Sequence, residues 1–172
     1  MSIQYPIGEF SVCEEEINEN KIKTWIIEIE KFPRLLRKVV EEFTEDELNI
    51  PYRKGGWTVR QLIHHLADSH LNAYLRVKLA LTEENPMIKD YQQDQWARLQ
   101  DYHLPIEVSL SMIETVHLRW TVVLKSLSIH EWQRTFVHPE SGQLSIGKAT
   151  GMYAWHGRHH LAHITAKHKG EK

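Results

Sequence analysis

Apolar residues recur at three- and four-residue steps along four long stretches of the chain, the spacing of an amphipathic helix. The first runs from Glu14 to Phe43 through Ile17, Ile22, Trp25, Ile26, Ile29, Phe32, Leu35, Leu36, Val39 and Val40. Pro33 falls inside it and, lacking an N–H donor, predicts a kink or a new first turn. From Thr44 to Gly56 the chain is polar and carries Pro51 and Gly55-Gly56, which predicts a loop. Thr58 is a candidate N-cap, with Gln61 three residues later as in a capping box. A second helix is therefore expected from Val59 to Leu81, with Val59, Leu62, Ile63, Leu66, Ala73, Tyr74 and Val77 on its buried side and Asn85-Pro86 beyond its end. Between Tyr91 and Asp101 a short helix is expected, burying Trp96 and Leu99. A third long pattern spans Ile106 to Leu127 through Val108, Leu110, Ile113, Val116, Trp120, Val123 and Leu124. Arg134–Ile146 alternates around Pro139-Glu140-Ser141-Gly142, which predicts a small hairpin or ordered loop. A fourth long helix is expected from Gly147 to about Lys167, through Met152, Trp155, Leu161 and Ile164. Its terminal Lys167, Lys169 and Lys172 suit the negative pole of a helix dipole.

Four long helices with mostly polar connections predict an all-α fold: a four-helix bundle with a long crossover and a short hairpin or loop insertion before the last helix. A single domain over residues 1–172 accommodates it. Composition then narrows the function. With 21 Lys+Arg against 23 Asp+Glu, the formal charge is −2, so no basic face is available for nucleic acid. No apolar run exceeds the four residues Met152–Trp155, far short of a transmembrane helix. The N-terminal MSIQYPIGEF lacks the basic and apolar regions of a secretory signal, and Cys13 alone forms no internal disulfide. The expectation is a cytoplasmic protein acting on a small-molecule substrate, with no nucleic-acid or membrane partner.

Histidine is the unusual entry in the composition, with 12 residues. Three lie at 64, 65 and 70, and five at 156, 159, 160, 163 and 168. His156 and His160 are four apart, so their Cβ atoms stand roughly 5–6 Å from each other on one helix face. Two imidazoles so placed can chelate one metal ion, as HxxxH does in helical zinc sites. His159 and His163 form a second such pair, rotated by about 60° around the axis, and spacing alone does not choose between them. A third ligand has to come from another helix, and the run His64–His70 offers candidates. Three protein ligands with one position left for water is the catalytic arrangement; closed structural sites use four. Asp68, one turn after His65, is placed to hold a ligand imidazole through its second nitrogen, although an ordinary helix-surface carboxylate is an equal reading. His103, His117, His130, His138 and His168 read as ordinary core or surface residues. HExxH, GxSxG, P-loop and GxGxxG motifs are absent.

The segments GGWTVRQLIHHLADSH (55–70), YAWHGRHHLAHI (153–164) and YPIGEF (5–10) resemble the YfiT group of the DinB-like proteins. The resemblance extends over nearly the whole chain. It implies a four-helix bundle, usually a homodimer, that binds one divalent ion such as zinc or nickel per chain through three histidines. It further implies that one ligand is the second His of the HHLAD motif, His65, and that the others are the HxxxH pair, His156 and His160. The group is provisionally described as metal-dependent hydrolases, whereas members of the wider superfamily are thiol-dependent S-transferases. Three expectations result. The first is a hydrolase in which the ion activates water, the general base being unassigned with Asp68 and His64 as candidates. The second is a metal-dependent, bacillithiol-type S-transferase, in which the ion lowers the pKa of a thiol cosubstrate. The third is a non-catalytic, metal-stabilised dimer module.

Overall fold

A computed structural model describes residues 5–168, with the side chains of residues 5–166. Lys169, Lys172 and the side chains of Lys167 and His168 lie outside the described residues, so the dipole expectation for them is not addressed. In chain order the α-helices are α1 (Glu19–Val40), α2 (Glu45–Leu48), α3 (Val59–Thr82), α4 (Gln93–Trp96), α5 (Ile106–Ser126), α6 (Ile129–Trp132) and α7 (Ile146–His168). A hairpin of β1 (Thr135–His138) and β2 (Gly142–Ser145) precedes α7, pairing antiparallel from Thr135 with Ser145 to His138 with Gly142.

The four long helices are those the apolar spacing predicts, and they form the bundle. α1 packs on α5 and α7, and α3 packs on α5 and α7, so α1 and α3 lie diagonally opposite. Two apolar clusters set the direction of each helix. α1 and α7 pass from the cluster around Ile29, Trp120 and Ile146 to the one around Leu36, Leu62 and Ile164, while α3 and α5 pass the other way. The order is therefore up, down, down, up. Two parallel neighbours in sequence, α3 and α5, require the long crossover of residues 83–105.

Local chemistry fixes the helix ends. Asn18 Oδ1 accepts from the Lys21 N–H at 3.1 Å to start α1. Thr58 and Gln61 form the expected capping box of α3, with both bonds near 3 Å. Ser145, the last residue of the hairpin, accepts from the Lys148 N–H at 2.9 Å, so the strand turns directly into α7. After α3, the Ile88 N–H donates to the Val137 carbonyl and the Val137 N–H to that of Pro86. This clip carries the crossover back alongside the hairpin.

The structure corrects several details. α1 runs unbroken through Pro33, and residues 14–16 form a separate 3-10 turn. The polar 44–56 segment holds one short helix, started by a Thr44–Glu47 capping box. Within 91–101 the buried residue is Ala97; Leu99 is 54% exposed, as is Val108 on α5 at 53%. A helical spacing rule places apolar residues on a face, but rim positions of that face stay wet.

Candidate metal centre

α3 and α7 are antiparallel neighbours, and their histidines meet between the two apolar clusters. The last cluster residues before and after the gap are Ala67 and Ala73 on α3, and Ala154 and Ile164 on α7. Small residues line the approach. A Cβ at Gly157 would lie 3.0 Å from the Phe32 ring, so glycine beside His156 lets α7 close on α1.

His65, His156 and His160 each turn one ring nitrogen to a common point, with these atoms all within 4.8 Å of one another. His65 Nε2 and His156 Nε2 are 3.3 Å apart. His65 is buried, and the other two are half-buried. Loss of water around an imidazolium disfavours the charged form. Burial accordingly pushes His65 down to about 4 and both His156 and His160 well below the usual histidine range. The neutral ring is the ligating form. The Nδ1 atoms of His65 and His160 are buried with no hydrogen-bond partner among the described residues. Three neutral nitrogen donors converging in a protein interior fit a first-row divalent cation.

His159, His160 and His163 form a second group with the same spread of nitrogen atoms. Its rings are engaged by aromatic neighbours: His159 stacks on Trp155 with centroids 4.5 Å apart, and His163 on Tyr52 at 4.3 Å. Only His160 belongs to both groups.

The two candidates for a general base point elsewhere. Asp68 accepts a hydrogen bond from the Tyr102 hydroxyl at 2.7 Å, and the His65 Nδ1 it was expected to hold has no partner. His64 lies with Nδ1 2.7 Å from Ser109 Oγ and donates through Nε2 to the Leu104 carbonyl at 3.1 Å. The reason is helical: adjacent residues diverge by about 100°, so His64 faces α5 while His65 faces α7.

A cleft of about 790 Å³ reaches His65 and His156 and is walled by Ser69, Arg76, Tyr91, Tyr153 and His138. Asp90, Asp94 and Glu140 also line it. A second lobe of about 530 Å³ reaches His65, His156 and His160 past Arg53, Gly55, Gly56 and Trp57. Arg76 is buried, donating to the Tyr153 hydroxyl at 3.0 Å and to Asp90 at 3.4 Å. Burial raises Tyr91 to about 12 and also raises Tyr153, so both phenols keep their protons at neutral pH. Sequence spacing gave no signal for Arg76, Tyr153 or His138 as cleft residues, because three separate elements bring them together. His70 was visible as part of the histidine run; its contact with His156, Nε2 to Nδ1 at 3.2 Å, was not.

Comparison with known proteins places the chain in a family and supports its fold. The family profile described as the DinB superfamily matches residues 28–164. A protein of Oceanobacillus iheyensis provisionally named a metal-dependent hydrolase is 59% identical over 166 residues, covering 96% of each chain. One from Bacillus cereus with the same provisional name is 51% identical over 167 residues, covering 97% of this chain and 96% of that one. The solved structure of YfiT from Bacillus subtilis superposes with a TM-score of 0.93 at 41% identity, covering 99% of both chains. It is described with a provisional metal-dependent hydrolase assignment and an unusual four-helix bundle topology. The four-helix bundle protein TT2238 shares the fold, with a TM-score of 0.56 at 19% identity over 81% of this chain and 94% of that one. No helix of the described residues is long and apolar enough to cross a membrane.

Proposed function

The chain belongs to the DinB superfamily, and on that premise we propose that it is a metal-dependent hydrolase whose ion is held by His65, His156 and His160. The observation that carries the reading is the convergence of three neutral imidazoles at the floor of a cleft large enough for a small molecule. A divalent ion bound there, zinc or nickel, supplies Lewis acidity that activates water and polarises an electrophile.

The chain's own residues do the rest. Arg76 braces the Tyr153 hydroxyl, and Ser69 hydrogen-bonds to both Tyr153 and Tyr91, which fixes the two phenols at the cleft wall. Protonated Tyr91 and Tyr153 donate hydrogen bonds where negative charge develops. Trp155 and Met152 line the cleft and shield the reacting atoms from bulk water. Neither Asp68 nor His64 lines either lobe. The proposal therefore assigns the proton-accepting role to neither, and His138 at the cleft wall has its Nδ1 lone pair taken up by the Glu140 and Ser141 N–H groups.

The test is to strip the protein with a chelator, reload it with zinc or nickel, and screen ester and amide substrates. Turnover that needs the ion and disappears in His160→Ala supports the proposal. Formation of a conjugate between a bacillithiol-like thiol and an epoxide acceptor, without hydrolysis, would replace it with the S-transferase reading. Loading that raises the melting temperature with no turnover in either screen would replace it with the non-catalytic module.

A further inference from the structure

We infer that His70 and His117 are positioning residues for the metal centre: hung from the Ile29 carbonyl, they fix His156 with its proton on Nδ1 and its lone pair on Nε2. The inference rests on the three-histidine reading above and extends it to residues outside the ligand set.

The assignment is forced one step at a time. A carbonyl oxygen only accepts, and His117 Nδ1 lies 2.6 Å from the Ile29 oxygen, so that nitrogen carries the proton. A neutral imidazole has one N–H, so His117 Nε2 is an acceptor. It lies 2.7 Å from His70 Nδ1, which must therefore donate. His70 Nε2 then accepts, and the atom it faces at 3.2 Å, His156 Nδ1, is the donor. What remains on His156 is the Nε2 lone pair, turned toward His65 Nε2. Both relay rings are 1% exposed, and each has both nitrogens engaged within the relay.

The start of the relay is written into α1. In an α-helix the Ile29 carbonyl would accept from the N–H of residue 33. That residue is proline and has no N–H. The helix continues past it, leaving one interior carbonyl without its helical donor, and His117 of α5 fills the vacancy. Packing holds the rings in line. Phe32 lies beside both, with centroids 5.3 Å from His70 and 5.5 Å from His117, and Trp120 stands edge-on to each. Outer partners of this kind orient a ligand histidine and select its tautomer.

The experiment uses the full chain, labelled with ¹⁵N-histidine, as wild type and as His70→Gln and His70→Leu. Glutamine offers one acceptor and one donor in place of the ring nitrogens; leucine offers neither. In metal-free wild type, long-range ¹H–¹⁵N spectra are expected to show His156 protonated at Nδ1. Cobalt and zinc affinities, measured by d–d absorbance and chelator competition, are expected to fall about 10–100-fold in His70→Leu and to stay within about threefold in His70→Gln. Equal circular dichroism of the variants separates this from unfolding. Should His70→Leu fail to fold, the wild-type tautomer decides alone. A His156 proton on Nε2, or wild-type affinity in a folded His70→Leu, overturns the inference. Wild-type protein that binds neither ion overturns the metal reading instead, and the tautomer spectrum still decides the relay.

Discussion

His64 and His65 are adjacent, of one residue type and equally buried, at 4% and 3% exposure, yet they belong to opposite kinds of environment. On the α5 side, His64 has both nitrogens engaged, by Ser109 and by the Leu104 carbonyl. Arg60 donates to that same carbonyl and to Asn49, and Tyr102 donates to Asp68. On the α7 side, His65 Nδ1 and His160 Nδ1 have no partner among the described residues, and three ring nitrogens crowd one point. Burial does not distinguish the two regions. Arrangement does: on the α5 side each ring nitrogen of His64 meets its own partner, whereas on the α7 side nitrogens of three different histidines converge on one point, as a cation requires.

The sharpest way to break this contrast is to remove one member from each side. His160→Ala takes away one of three donors and should weaken zinc binding by more than the roughly 100-fold typical of outer partners, with little change in melting of the metal-free protein. His64→Ala should do the reverse. It strands the Ser109 hydroxyl and opens a cavity, costing about 2–4 kcal/mol of stability, while zinc affinity stays within about twofold. Chemical denaturation and chelator competition on both variants check the pair; equal effects on both measurements would erase the distinction.

Acid separates the regions less sharply. His117 is held near 4 by burial in the folded chain, against an ordinary value of 6.5. A group with a depressed folded pKa resists protonation that the unfolded chain accepts. Its penalty is absent above about pH 7 and grows as pH falls through 6.5 toward 4. At pH 5 this single ring should lower stability by about 2 kcal/mol, at 1.36 kcal/mol per unit. His117→Gln should flatten the metal-free stability profile by about that amount between pH 7 and 5, as urea titrations at each pH would show. An unchanged slope would mean that His117 takes up a proton in the folded state.

The choice of His156 and His160 came from the resemblance to the YfiT group, whereas the presence of histidine pairs four apart on the last helix was legible from backbone spacing alone. Choosing between His64 and His65 was not, since α3 is buried on nearly every side and its apolar pattern names no single face. Asp68 shows the same limit: one turn from His65 is reach enough, but Tyr102, 34 residues away, supplies the better partner. The relay was less legible still. His70 and His117 are 47 residues apart, and His117 and Ile29 are 88. The spacing of a lone histidine on α5 carries no trace of what it touches. Pro33 did leave a signal, that one carbonyl in α1 would lack its donor. The sequence offered no way to see that the donor would come from another helix, and a kink was the expected remedy.

The smallest expected effect tests that remedy. Pro33→Ala returns an N–H at position 33, which can donate to the Ile29 carbonyl within α1. Judged by the helix alone, the change is favourable, since interior proline is costly and alanine is the best helix former. Judged by the metal centre, it introduces a competitor for the oxygen on which His117 hangs. That oxygen has two lone pairs, so the competitor shares it, and the His117 bond lengthens without breaking. The variant should therefore melt at or slightly above the wild-type temperature when metal-free, yet bind zinc about two- to threefold more weakly. Its His117 Nδ1–H resonance should move upfield as that hydrogen bond weakens. A gain in helix stability paired with a loss in metal affinity is what a purely structural role for Pro33 would not produce; an unmoved resonance with unchanged zinc affinity would return the proline to the helix and detach it from the site.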